Sequence, residues 1–408
     1  MTVVSTPLSR PRAGALVLSA IIVFSLSLRT AVTSMSPLLT RISRDLDFGS
    51  VVIGILGMLA TLMFGLAGLV GPALGRRFGL EAAALGAVVA TALGIGLRAL
   101  SPNAWVLIVL SALALFGMGL GNVLIPPLVK RYFGVRIAAV STAYIVCVQM
   151  GTMVPAALAV PVADAHGWRI SLAMWAIIPI VALPLWTAVA LRRRADVSDG
   201  DAEPTPPRLP VWRSPIAWGL TLMFGMTSLM TYSLFTWLPK VLTDAGGSEA
   251  LGGNAVAVFA GIGVAATVIA PWLCMRFANP FGFVVVFAAC MIAGIAGLWL
   301  APLSAPLLWA LLAGLGVTQF PMALTLINLR SRSSAGSSSL SGFGQGLGYL
   351  LACLGPLLFG ILHDATGGWT APFAFLTLAC GVMLVGAWAI CRPRILEDDL
   401  AARDHTLA

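Results

Sequence analysis

Charge is what this chain has least of. Only 10% of its 408 residues are Asp, Glu, Lys or Arg, and just 15 of them are acids. Beside 59% hydrophobic residues and a mean hydropathy of +0.98, so small a charged fraction excludes an ordinary soluble domain. The six cysteines (Cys147, Cys274, Cys290, Cys353, Cys380 and Cys391) fall in or beside apolar runs without the close spacing of a metal site, and read as small packing residues. Of three histidines, His166 and His363 sit near the outer ends of runs and His405 near the C-terminus, so no metal or catalytic cluster forms. No nucleophile motif or phosphate-binding loop stands out, and neither an enzyme activity nor a cofactor is expected. The formal charge of +9 does not point to nucleic acid, because the cations are scattered over short loops instead of gathered on one face.

What the chain does have is apolar runs of membrane-spanning length. A hydrocarbon core of about 30 Å takes ~20 residues of helix, and such runs lie at about 14–38, 51–74, 81–100, 104–128, 137–162, 170–191, 215–239, 253–276, 281–301, 307–329, 338–362 and 370–391. They are too long and too unalternating for barrel strands. The fold class expected is therefore an all-α membrane protein of twelve transmembrane helices. The first run lacks a secretory cleavage site and is taken as a retained span. Placing the N-terminus inside puts 18 of the 24 cations on inner segments, among them Arg76, Arg77, Lys130, Arg131, Arg192, Arg193, Arg194, Arg330 and Arg332. Both termini are then cytoplasmic and the protein is a multi-pass cell-membrane protein.

A polar, Pro-rich stretch at 192–213 divides the chain nearly in half, with the composition of a flexible linker. The flanks look duplicated: Gln149/Gln345, Pro155/Pro356, Asp164/Asp364 and Trp168/Trp369 recur 196 to 201 positions apart, and "SPLLT" at 36–40 is echoed by "LPKVLTD" at 238–244. The expected domains are a six-helix bundle over 1–191, the linker at 192–213, a second six-helix bundle over 214–391 and a tail at 392–408.

Arg29 sits within the first apolar run, roughly 15 Å from its outer end and further from its inner one, too far to snorkel. A lone Arg at that depth costs ~2.5–3.5 kcal/mol on insertion scales, so it must face the bundle interior or a wet cavity. None of the acids lies at mid-span to pair with it. An uncompensated cation there suits an anion or an electron-rich group such as a nitro function. The same depth argument gives Asn122, Tyr144, Gln149, Tyr232, Gln319, Gln345 and Tyr349 as further candidates for substrate binding. For each, bonding between helices is equally open, although the repeat adds weight to Gln149 and Gln345. Trp237 reads as an interfacial anchor, with a gate as the alternative. Gly117, Gly119, Gly121, Gly342, Gly344 and Gly346 read as close-approach surfaces, and Pro126, Pro127, Pro155, Pro321 and Pro356 as bends.

The stretches "GMGLGNVLIPPLVKRYF" (117–133), "GWRISLAMW" (167–175), "TYSLFTWLPKVLTDAG" (231–246) and the long run from Gln319 to Trp369 closely resemble the cyanate permease / 2-nitroimidazole transporter family of the major facilitator superfamily. The resemblance implies two pseudo-symmetric six-helix bundles, a substrate site between them, and transport of a cyanate-like anion or nitroimidazole-like compound by alternating access, with Arg29 in the site. The expected partners are a small-molecule substrate and the lipid bilayer, with no nucleic acid, and a monomer suffices. Two departures stand out. The superfamily's motif between spans 2 and 3 carries an Asp that "GPALGRRFGLE" (71–81) lacks, and Thr227 stands where the family often has glutamine. A multidrug-type exporter of lipophilic compounds is the alternative, and would tolerate loss of Arg29.

Overall fold

A computed structural model describes residues 11–133, 136–196 and 209–407. The expected linker falls largely on 197–208, outside the described residues. Every regular element among the described residues is helical: α1 (Pro11–Ser25), α2 (Thr30–Thr33), α3 (Leu39–Asp45), α4 (Ser50–Phe78), α5 (Leu80–Arg98), α6 (Ala104–Phe133), α7 (Ile137–Ala173), α8 (Ile177–Asp196), α9 (Pro215–Asp244), α10 (Glu249–Arg276), α11 (Phe281–Leu300), α12 (Pro306–Gly316), α13 (Gln319–Leu329), α14 (Ser334–Thr366), α15 (Thr370–Cys391) and α16 (Leu396–Leu407).

These make twelve crossings. α1 to α3 form the first, and α12 with α13 the tenth. The fifth and sixth run together in α7 until Gly167, whose φ of 83° is open to glycine without a Cβ penalty. Beyond it, Ser171 Oγ donates to the Ala159 carbonyl twelve residues back, so the chain has reversed. α9 is the least apolar crossing, rich in Ser and Thr, yet almost wholly buried. It tolerates much of this because Thr221, Thr227, Thr231, Ser233 and Thr236 each donate to the carbonyl four residues earlier, whereas Ser228 Oγ and Tyr232 Oη are buried without a partner.

An even number of crossings returns both ends of the chain to one side, called here the terminal face; the other is the distal face. The expected tail at 392–408 differs from what is seen. Leu396 is buried and its N–H donates to the Arg330 carbonyl, while Glu397 accepts from Ser333 N–H and Oγ and from Arg332 N–H. Burial alone would raise the Glu397 pKa; these hydrogen bonds outweigh it and hold the carboxyl below its usual range. Asp398 pairs with Arg332 at 2.6 Å, and Ser214 Oγ donates to Asp399. A short acidic helix thus docks on basic loops, a match that composition alone does not show.

Trp237 is likewise not an interfacial anchor. It is fully buried, its Nε1 donates to the Pro356 carbonyl at 2.8 Å, and its ring packs on Phe359 and Trp369. Gly117, Gly119, Gly121 and Gly344 do sit where a Cβ would meet a neighbouring helix, but Gly342 and Gly346 face open space. Near the terminal face, buried Glu81 accepts from Tyr132 Oη at 2.7 Å and pairs with Arg131 at 3.4 Å, tying the ends of α5 and α6 together.

Candidate functional site

The first crossing is not one helix. Between α1 and α2 the backbone tightens to i→i+3 hydrogen bonds (Ser27 to Phe24, Leu28 to Ser25, Thr30 to Ser27), and Arg29 takes φ −135°, ψ −1°. The residues "SLSLRTAVTSMSP" permit this. Ser25, Ser27, Thr30 and Ser34 donate their hydroxyls to the Ile21, Phe24, Ser27 and Thr30 carbonyls at 2.6–2.9 Å, supplying partners that an interrupted ladder would leave wanting. On α7, Gly151 lies against the Leu26 carbonyl, so close that any Cβ would collide with it. The break therefore has a built seat.

Arg29 stands at the head of α2, half-buried. Its Nε is buried with no hydrogen-bond partner, and among the described residues no carboxylate pairs with it. Its guanidinium carbon lies 5.9 Å from the centre of the Phe320 ring, within cation–π range. From Phe320 the aromatic rings continue in sequence: to Phe224 at 4.9 Å, Tyr349 at 5.0 Å, Phe64 at 6.3 Å, and Tyr232 at 6.3 Å. The charge of Arg29 acts on both phenols, and Tyr232 Oη is buried and unpartnered. Phe64 comes from the first half, Phe224, Tyr232, Phe320 and Tyr349 from the second. A single cation with a free N–H, one free phenol and a wall of π-faces can hold a small planar solute that accepts hydrogen bonds.

On the distal side of this cluster the two halves are pressed together. Ser36 Oγ donates to the Phe235 carbonyl, Thr61 Oγ1 to Cys353 Sγ at 3.3 Å, and Arg41, paired at 2.6 Å with Asp164 of its own half, also pairs with Glu249 across the divide. A Cβ on Gly54 would lie 3.1 Å from Leu357 Cα, and one on Gly57 2.8 Å from Pro356. On the terminal side lies a cavity of about 630 Å³ at the ends of α13 and α14, lined by Asn328, Arg332, Ser337, Ser341 and Gln345 among others. Gln345, which lines it, is one helical turn from Tyr349 on α14.

The other predicted residues separate. Tyr232 and Tyr349 join Arg29. Gln345 lines the cavity, its amide donating to Ser341 Oγ. Asn122 is exposed between the α6 faces that meet α1 (Gly121) and α4 (Gly119), and donates to its own Met118 carbonyl. Gln149 is not an equivalent of Gln345: it reaches across to the Ala260 carbonyl of α10 at 3.3 Å and seats on Gly263. Gln319 is fully buried, with Nε2 donating to the Val284 carbonyl of α11, which makes it an interhelical bond. Tyr144 packs half-buried on the core, with no contact to Arg29. Thr227 is buried and satisfied within α9. Phe64, Phe224 and Phe320 escaped sequence reasoning, since a phenylalanine in an apolar run carries no depth signal. Gly151 escaped it too, although a glycine beside a polar mid-span residue was a visible cue.

Twelve crossings, closed together on one face, with a lone cation and aromatic rings between the halves, define a membrane carrier of small solutes. The chain belongs to the Major Facilitator Superfamily, whose family model matches residues 17–356. It is 32% identical over 383 residues to the 2-nitroimidazole transporter of Escherichia coli (strain K12), covering 93% of this chain and 96% of that one. It is 28% identical over 370 residues to the cyanate transport protein CynX of the same organism, covering 90% and 94%. Among solved structures, a D-xylose–proton symporter shares the fold with a TM-score of 0.72 at 12% identity, covering 92% of this chain and 96% of that one.

Proposed function

We propose that the chain carries a small, planar, anionic or nitro-bearing solute across the cell membrane by alternating access, with Arg29 as its charged anchor. The observation that carries this is the uncompensated guanidinium of Arg29, its Nε free, facing Phe320 in a wall of aromatic rings. A carrier that binds a neutral sugar needs no such buried cation, whereas a carboxylate, cyanate or nitro group supplies the acceptor it lacks. Tyr232 Oη, also free, offers a second donor, and the ring faces favour a flat, conjugated body over a puckered one. The names of the two relatives, cyanate and 2-nitroimidazole transporters, fit the same chemistry. In this reading the terminal face is cytoplasmic, the halves are 1–191 and 214–391 with the linker between them, and the arrangement seen opens inward.

The aromatic wall also gives the lipophilic-exporter reading a specific footing, and the two part on charge. Counterflow in proteoliposomes separates them: labelled cyanate and labelled 2-nitroimidazole are offered beside a neutral lipophilic compound of similar size. Saturable exchange of either of the first two, with none of the third, supports the proposal. Exchange of the neutral compound alone refutes it.

A further inference from the structure

We propose that Arg98 is a positioning residue for Arg29, gripping the interrupted segment of the first crossing so that the substrate-facing guanidinium is held in place; this rests on the reading of Arg29 given above. Arg98 closes α5, where a cation in the last turn would ordinarily serve the helix dipole from the surface. It is instead fully buried, and no carboxylate among the described residues pairs with it. Its fork is turned onto α2. Nη1 donates to the Ala31 carbonyl at 2.8 Å and Nη2 to Ser34 Oγ at 3.0 Å. Ser34 Oγ in turn donates to the Thr30 carbonyl at 2.6 Å. The Arg29 carbonyl accepts from the N–H groups of Val32 and Thr33, the same turn. Both grips therefore fall within five residues of Arg29, on a segment whose own backbone ladder is interrupted.

A buried cation with no counter-charge stabilises a fold poorly, since desolvation opposes it and a well-packed apolar side chain of the same volume does better. Its Nε, also unpartnered, adds to that cost. A purpose in placing the segment accounts for the residue where stability does not. Guanidinium geometry suits it: the planar fork fixes two acceptors at once, which a single ammonium cannot do as rigidly. With the grip gone, Arg29 remains beside the aromatic wall but samples several orientations, so binding weakens while the rocking of the halves is untouched.

The test is counterflow of labelled cyanate and labelled 2-nitroimidazole by the full chain in proteoliposomes. Arg98→Gln is expected to raise KM about ten-fold, the scale of a lost charge-assisted hydrogen bond, with the maximal exchange rate within about two-fold of wild type. Arg98→Lys recovers part of the KM. Ser34→Ala, which removes one acceptor and keeps the fold, raises KM on its own and adds little in the Arg98→Gln background. A fall in maximal rate with KM unchanged in these variants overturns the proposal, as does full additivity of Ser34→Ala and Arg98→Gln. If Arg98→Gln does not insert, Ser34→Ala alone decides by the same KM criterion. Should Arg29→Ala exchange normally, or the wild type exchange neither probe, the substrate reading fails and this inference with it. If Arg29→Ala abolishes exchange while the Arg98 and Ser34 variants behave as wild type, only the positioning role is lost.

Discussion

Gly151→Ala puts one methyl group where the interrupted segment leans on α7. An ideal Cβ at this position would lie 2.7 Å from the Leu26 carbonyl carbon and 3.1 Å from Leu26 Cα, and closer still to the carbonyl oxygen. Ordinary carbon contacts are about 3.5–4.0 Å, so the backbone at Leu26 must retreat by roughly 0.8 Å or more. No flexible side chain can give way, because the atoms met are main chain. Overpacking of this kind costs about 1–3 kcal/mol, and a shift near 1 Å in a positioned group can cost on the order of 100-fold where geometry is demanding. Leu26 is three residues from Arg29, so the displacement reaches the anchor. Counterflow kinetics should show KM raised about ten-fold or more in protein that still inserts and purifies. Gly346→Ala, on a helix position with nothing within 4 Å of the new Cβ, is the matched control and should be neutral. Wild-type KM in Gly151→Ala would show that the seat of the break does not govern the site.

Two further outcomes follow from contacts at the two faces. Glu397 is held below the ordinary carboxylate range by its hydrogen bonds from Ser333 and Arg332, so its contribution to docking of α16 is complete above about pH 4.3, the unfolded value. It is lost as pH falls through the lower folded value. Limited proteolysis between Arg392 and Leu407 should therefore accelerate below that pH; in Glu397→Gln it should be fast at neutral pH too, and an unchanged profile would refute the role. Arg41→Gln removes the pair with Glu249 that joins the two halves, whose side chains are 29% and 21% exposed and which is therefore worth about 0.2–1 kcal/mol, while the pair with Asp164 lies within one half. Opening of the distal face should rise by no more than about five-fold, read as the rate at which an impermeant maleimide labels a reporter at Leu39→Cys, and a rate unchanged from the parent would contradict a role for this pair in holding the face closed.

The crossings were legible because hydropathy over some twenty residues reports burial in lipid whatever the neighbours are. Arg29 was legible for the complementary reason: a cation at that depth is too costly to be incidental. Tyr232 and Tyr349, which the same depth argument selected, do meet beside it. The break at Ser27–Arg29 was hidden, since Ser and Thr are nearly neutral in hydropathy and satisfy an interrupted helix with their own hydroxyls. Arg98 was hidden by position, for at the end of an apolar run it looks like any loop cation. Gln149, Gln319 and Trp237 show the limit of reasoning by depth. Depth says that a polar atom needs a partner, but only the packing decides whether that partner is a carbonyl of the next helix, as for Gln319, or the cavity, as for Gln345.

The most direct measurement is counterflow of labelled cyanate and labelled 2-nitroimidazole by Arg29→Ala beside the wild type, in vesicles of matched protein content and with no imposed gradient. Saturable exchange by the wild type, reduced at least about 100-fold in Arg29→Ala and only partly restored in Arg29→Lys, is the predicted result, as expected for removal of a buried charge-assisted contact. Exchange in Arg29→Ala at the wild-type rate and KM would contradict the account, because the solute would then be held by the aromatic wall alone.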